Sequence, residues 1–157
     1  MDLIQIITGF LGSLGFSMLF NIRGTKLVVA SLGGLISWSV FLALAPLFPS
    51  ETLRYFISAA TVTLYAEVFA RIIKTPTTTF LVPSLIPLIP GGSLYYTMNY
   101  ALNKQWGLFA QKALYTLQLA LALAVGIIAV TTLTRMFMVL VKKLKKQEFL
   151  SHFHHSI

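Results

Sequence analysis

Cysteine is absent from the 157 residues, which removes disulfide frameworks, thiol redox centres and cysteine-held metals together. Acids are almost as scarce: four Asp and Glu stand against 12 Lys and Arg, for a net charge of +8. The three histidines, His152, His154 and His155, all fall at the very end of the chain. Few groups remain for metal or acid–base chemistry, and neither a metal nor any other cofactor is expected. Charged residues reach only 10%, where a soluble domain carries about 25%. Apolar residues of the AVILMFWYC set fill the space at 57%, and mean hydropathy is +0.82. This is the composition of a single all-α integral membrane domain. In a soluble chain the positive charge would suggest nucleic acid. Here the cations cluster between long uncharged runs, a pattern of membrane topology, and no nucleic-acid partner is expected.

A bilayer core needs about 20 apolar residues per helical span. Residues 3–22 form one such run, ending at Arg23 and Lys26, and residues 27–46 form a second, ending in a Pro-rich turn. A third, 53–73, carries Glu67 and Arg71 towards its far end. Residues 113–141 are uncharged until Arg135 and make the last span. Between these, residues 80–102 are uncharged but hold Pro83, Pro87, Pro90 and Gly91-Gly92, so a fourth span is expected to be broken. The N-terminal run has Asp2 in place of a basic n-region and no small-x-small cleavage site, and is expected to be a mature span.

Cationic loops stay cytoplasmic. Five spans place Arg23, Lys26, Arg71, Lys74, Lys142, Lys143, Lys145 and Lys146 on one side, against Arg54, Lys104 and Lys112 on the other. Four spans, with 80–102 re-entrant, would put the lysine tail outside. The expectation is therefore five spans, the N-terminus outside and the basic tail, 142–157, in the cytoplasm, where it meets anionic lipid.

Lipid tails offer no hydrophobic drive between helices, so small residues must let backbones approach. Gly9, Ser13 and Ser17 recur every fourth residue, as do Ala30 with Gly34, Gly33 with Ser37, and Ala122 with Gly126. Ala59, Thr63, Ala66 and Ala70 give the third span a similar face. These stripes are expected to be packing, within this chain or against a partner.

The stretch FLVPSLIPLIPGGSLYYTMNY is the most informative. Its prolines remove backbone donors, so residues 82–90 are expected to be non-helical or strongly broken at membrane depth. Lipid cannot satisfy the freed carbonyls, and such backbone survives only when buried in protein or lining a polar cavity, as in secondary transporters. Gly91 and Gly92 allow positive φ and close approach, and Ser93 could cap a half-helix running on past Tyr96. That helix would aim free N–H groups at an anionic guest. A plain proline kink without a ligand is the alternative.

The segments GFSMLFNI (residues 15–22), the Gly33-Gly34-x-x-Ser-Trp pattern and YAEVFARIIKTPTTTFLVPSLIPLIPGGSLYYTM (residues 65–98) resemble the threonine/serine exporter family. The likeness is to its short subunit, which corresponds to the C-terminal half of the fused exporters. The first loop departs from the family pattern at Arg23, where Phe-Asn-x-Pro is usual. The resemblance implies ion-driven efflux of small amino or carboxylic acids across the bacterial inner membrane, with a separately encoded longer subunit as partner.

Site candidates follow. Pro87, Pro90, Gly91, Gly92, Ser93 and Tyr96 are expected at the substrate. Glu67, an intramembrane carboxylate, is either a proton carrier or ammonium ligand, or half of an i,i+4 ion pair with Arg71. Tyr65, Tyr95 and Tyr100 line a site or sit in an interfacial belt. Arg135 snorkels towards headgroups or clamps a carboxylate, Trp106 and Phe109 anchor the outer face, and the histidines form a loose end. The expected function is a subunit of a secondary-active exporter with a small-molecule substrate. The rivals are a membrane scaffold that never touches substrate, and an intramembrane enzyme, for which one buried acid is too little.

Overall fold

The computed structural model describes residues 2–154, and every element in them is helical: α1 (Asp2–Leu19), α2 (Thr25–Ala43), α3 (Glu51–Ile72), α4 (Thr78–Leu85), a 3-10 turn (Ile86–Leu88), α5 (Gly91–Leu102) and α6 (Trp106–His154). Two stretches among them are long and apolar enough to cross a bilayer, Thr25–Ala43 and Trp106–Val141. The apolar part of α1 is shorter, and α3 carries Glu51, Arg54, Glu67 and Arg71 in 22 residues. The side chains of His152 and His154, and all of His155, lie outside the described residues, as do the side chains of Lys142, Lys145 and Lys146.

Successive segments alternate in direction. Gly9 meets Trp38 and Ser13 meets Gly34, so α1 and α2 are antiparallel. Tyr65 donates to the Val29 carbonyl at 2.8 Å while the Tyr55 ring meets Phe41 at a tilt, so α2 and α3 are antiparallel too. Helix α4 runs with α2, placing Ser84 beside Gly33 and Pro87 beside Trp38. Helix α6 runs with α3: Tyr115 reaches Glu51, Gly126 meets Phe56, and Met138 meets Arg71. The α1–α2 and α3–α4 loops therefore share one end of the bundle. Glu51 marks the other.

Small residues make these contacts, as their spacing suggests. Ser13, Ser17, Ser31, Ser37, Ala30, Ala59, Thr63 and Ala66 are fully buried. A Cβ added to Gly34 would lie 1.7 Å from Ser13 Oγ, one on Gly33 1.9 Å from Ser84 Oγ, and one on Gly126 2.7 Å from the Phe56 carbonyl. Backbones here approach to a distance that alanine would not permit. The stripes pack within this chain.

The fourth segment breaks later than its prolines suggest. Residues 82–85 remain helical in α4 with Pro83 inside it, so of the two expectations for 82–90 the non-helical one fails and the broken one holds. Proline removes a donor, and the orphaned acceptors lie four residues earlier. Pro87 cannot serve the Pro83 carbonyl, which accepts instead from the Ile86 N–H and, at 2.9 Å, from Ser13 Oγ on α1. A hydroxyl 70 residues away thus ties the end of α4 to α1. Pro90 leaves the Ile86 carbonyl to the Ile89 N–H at 3.2 Å, which tightens the chain into the 3-10 turn. The true break is Ile89–Pro90. Ile89 is extended (φ −65°, ψ 123°), and Pro90 (φ −74°, ψ 59°) centres an inverse γ-turn closed by Gly91 N–H to the Ile89 carbonyl at 2.7 Å.

Three helices end on a non-glycine residue in the left-handed region: Asn21 (φ 57°), Lys74 (φ 52°) and Lys104 (φ 54°). Each stop is closed by a six-to-one hydrogen bond, Ile22 to Ser17, Thr75 to Ala70 and Gln105 to Tyr100. Such stops turn the chain sharply, and a lysine there also favours the helix C-terminal dipole.

Candidate functional site

After the Pro90 turn the chain re-enters helix at Gly91 without a side-chain cap. The Leu94 N–H takes the Pro90 carbonyl at 3.0 Å, while the Gly92 and Ser93 N–H groups find no acceptor among the described residues. Ser93 is therefore not the cap the sequence suggested; it lies inside the first turn, where its carbonyl accepts from Thr97 Oγ1 at 2.8 Å. Nor do Gly91 and Gly92 use positive φ, and a Cβ on either would meet open space. What the glycines leave is unscreened backbone at a helix N-terminus.

This terminus opens on a cleft of about 500 Å³ between α5, α6 and the start of α3. Gly92, Ser93 and Tyr96 line it from one side, and Glu51, Lys112 and Tyr115 from the other. Glu51 is the first residue of α3, where Ser50 caps the helix by accepting from the Leu53 N–H at 3.4 Å. An acid in the first turn also suits the helix dipole. Its carboxylate accepts a hydrogen bond from the Tyr115 hydroxyl. Lys112, one turn before Tyr115, holds its ammonium 4.9 Å from the centre of the Tyr115 ring. One cleft thus presents a carboxylate, an ammonium, phenol hydroxyls and free N–H donors.

The other expected site residues go elsewhere. Pro90 is buried in the turn, and Gly91 is exposed. Pro87 lines a separate cavity of about 250 Å³ with Gln5, Thr8, Gly9 and Trp38. The Trp38 Nε1 donor is buried there without a partner. Glu67 is 8% exposed and forms the ion pair with Arg71, which also donates from Nη1 to the Glu67 carbonyl at 2.9 Å and from Nε to Met138 Sδ at 3.2 Å. Its face, with Thr63, Ala66 and Ala70, is buried in protein. Tyr65 serves the Val29 carbonyl rather than a site, Tyr95 and Arg135 are exposed, and Tyr100 joins the α5 cleft. Trp106 and Phe109 meet edge to face, 6.1 Å between centroids, at the start of α6.

Sequence reasoning missed Glu51, Lys112 and Tyr115. Glu51 looked like part of a turn, and Lys112 like a topological charge. The available signal was the i,i+3 spacing of Lys112 and Tyr115 on a helix otherwise apolar. Among the described residues no group of His, Asp and Glu could hold a metal ion.

A family model described as threonine/serine exporter, ThrE, matches residues 5–133. The chain belongs to the threonine/serine exporter family. No curated protein and no solved structure matches it. The matched residues take in the α5 cleft, the Glu67–Arg71 pair and α6 as far as Leu133; Arg135 and the basic tail lie beyond them. Membership in the exporter family makes amino-acid export at a membrane the general role of the chain.

Proposed function

We propose that the chain is one subunit of a secondary-active exporter of small amino acids or carboxylic acids, working with a longer membrane partner of the same family in the bacterial inner membrane. The observation that carries this reading is the α5 cleft. A zwitterionic amino acid needs an acceptor for its ammonium and donors for its carboxylate. Glu51 supplies the first, and Lys112 with the Gly92 and Ser93 N–H groups supplies the second. On binding, the substrate ammonium takes the place of the Tyr115 hydroxyl at Glu51. The alternating helix directions support five spans, counting α4, the 3-10 turn and α5 as one. The grouping of Arg23, Lys26, Arg71 and Lys74 at one end supports a cytoplasmic location for that end. The apolar stripe of Leu114, Leu117, Leu121, Val125 and Ile128 on α6 faces lipid.

Export is measured from vesicles holding the chain together with its longer partner, across amino acids and dicarboxylates. Glu51→Gln should weaken amino acids by about tenfold while sparing dicarboxylates, and Lys112→Gln should weaken both, the loss expected for one charge-assisted hydrogen bond. Equal losses for all substrates in both variants would refute the cleft as the binding site. Transport by the chain without its partner would refute the two-subunit reading.

A further inference from the structure

The opposite end of the bundle carries a second polar cleft, of about 740 Å³, between the α1–α2 loop and the start of α4. Arg23, Lys26, Thr75, Thr78 and Thr79 line it. We infer that this cleft is a binding site for a compact oxyanion, a carboxylate or a phosphate group.

Charge comes first. Among the described residues neither Arg23 nor Lys26 has an ion-pair partner, and Glu67 on α3 is taken by Arg71. Arg23 is steered by the left-handed Asn21, whose Oδ1 accepts from its Nε at 2.9 Å. That contact uses one edge of the guanidinium and leaves both Nη groups without an acceptor among the described residues. Next come the neutral donors. Helix α4 starts with no side-chain cap, and the Thr78 and Thr79 hydroxyls make no hydrogen bond among the described residues. Positive loops alone would satisfy topology; they do not require two threonines with unbonded hydroxyls in the lining of the same cleft.

The floor is fixed as well. Phe80 and Pro83 are fully buried, and α4 is tied to α1 through Ser13 and to α2 through Ser84, whose Oγ lies 3.2 Å from the Ala30 carbonyl. Donors set on a rigid helix bind a small anion better than the same groups on a loop. A membrane-embedded chain could draw that anion from a phospholipid headgroup or from solution, and the chemistry at the cleft is the same.

The test uses the full chain purified in detergent. Retention of phosphatidylglycerol is read by native mass spectrometry, and binding of inorganic phosphate and of acetate by calorimetry. At least one probe should bind, and Arg23→Gln with Lys26→Gln should weaken it by about tenfold or more, as expected when charge-assisted bonds are lost. Lys104→Gln, a cation at the other end, should change binding by less than about twofold, the scale of a screened long-range charge. Loss confined to phosphatidylglycerol assigns a headgroup, whereas loss of phosphate or acetate binding assigns a soluble anion; either supports the site. Absence of binding by all three probes overturns it, as does an equal loss in Lys104→Gln. Should the double variant not fold, Thr79→Val decides: it preserves net charge, and unchanged binding overturns the site.

Discussion

At the scale of single residues, the bundle depends on a few atoms that local sequence does not announce. Ser13 Oγ donates, beside the Ile86 N–H, to a carbonyl that Pro87 abandons, so Ser13→Ala should remove one buried hydrogen bond and cost about 0.5–1.5 kcal/mol. Pro87→Ala restores an N–H four residues after Pro83 and should recover much of that loss. Thermal midpoints of the two single variants and the double variant in detergent form the cycle that checks the coupling. Glycines divide in the same way. Gly33→Ala forces a Cβ against Ser84 and should cost about 1–3 kcal/mol as overpacking. Gly91→Ala meets open space in a helical conformation and should fold at least as well as the native chain, by up to about 1 kcal/mol. Yield and midpoint distinguish the two, and a Gly91 variant that unfolds would contradict the helical start of α5.

At the scale of elements, the apolar runs 3–22, 27–46 and 53–73 overlap α1, α2 and α3, and 113–141 lies within α6, because a long apolar run buries its backbone polar groups most readily as helix. The break was legible in kind and not in place. Pro83 is accommodated inside α4, and the carbonyl that Pro87 leaves is met by the Ile86 N–H and by a hydroxyl from a different helix. The α5 cleft was half legible: Gly92, Ser93 and Tyr96 are adjacent in sequence, whereas Glu51 and Lys112 join them only through the parallel packing of α3 and α6. Helix α3 carries the pair that sequence left open between ion pair and proton carrier. Arg71 engages both the carboxylate and the carbonyl of Glu67, a brace within one helix turn. Removing Arg71 alone would strand a buried charge, so Arg71→Gln should lower stability by about 3 kcal/mol or more, and adding Glu67→Gln should return most of it. In vesicles the Glu67→Gln, Arg71→Gln pair should retain export driven by the proton gradient. Loss of that dependence at matched protein levels would make Glu67 the proton carrier instead.

For the whole molecule, the two polar clefts lie at opposite ends of one bundle, the Glu51 cleft at one and the Arg23 cleft at the other. With no native cysteine, single replacements report the sidedness of these ends directly. Ser50→Cys, at the Glu51 end, should react with an impermeant thiol reagent added outside intact cells, and Thr75→Cys, at the Arg23 end, only after permeabilisation. The reverse labelling would invert the orientation, and labelling of both from outside would refute a membrane-spanning bundle. Between these ends α5 buries no residue and packs on α6, with Leu94, Tyr95, Met98 and Leu102 uncovered. The hairpin of α5 and the start of α6 stands beyond the first turn of α3 by about 13 Å, the rise of α6 from Trp106 to Tyr115.

Helix α6 continues unbroken to His154, about 24 Å past the point where Met138 meets Arg71. At Gly126 its backbone lies close against α3, where an added Cβ would come 2.7 Å from the Phe56 carbonyl. A stiff rod clamped along one face, at Glu51, Phe56 and Arg71, carries any tilt of that face to its far end. A tilt of about 10° would move the far end by roughly 4 Å over the 24 Å beyond Met138. A dye pair spanning that arm would turn the exporter's internal motion into a change of distance.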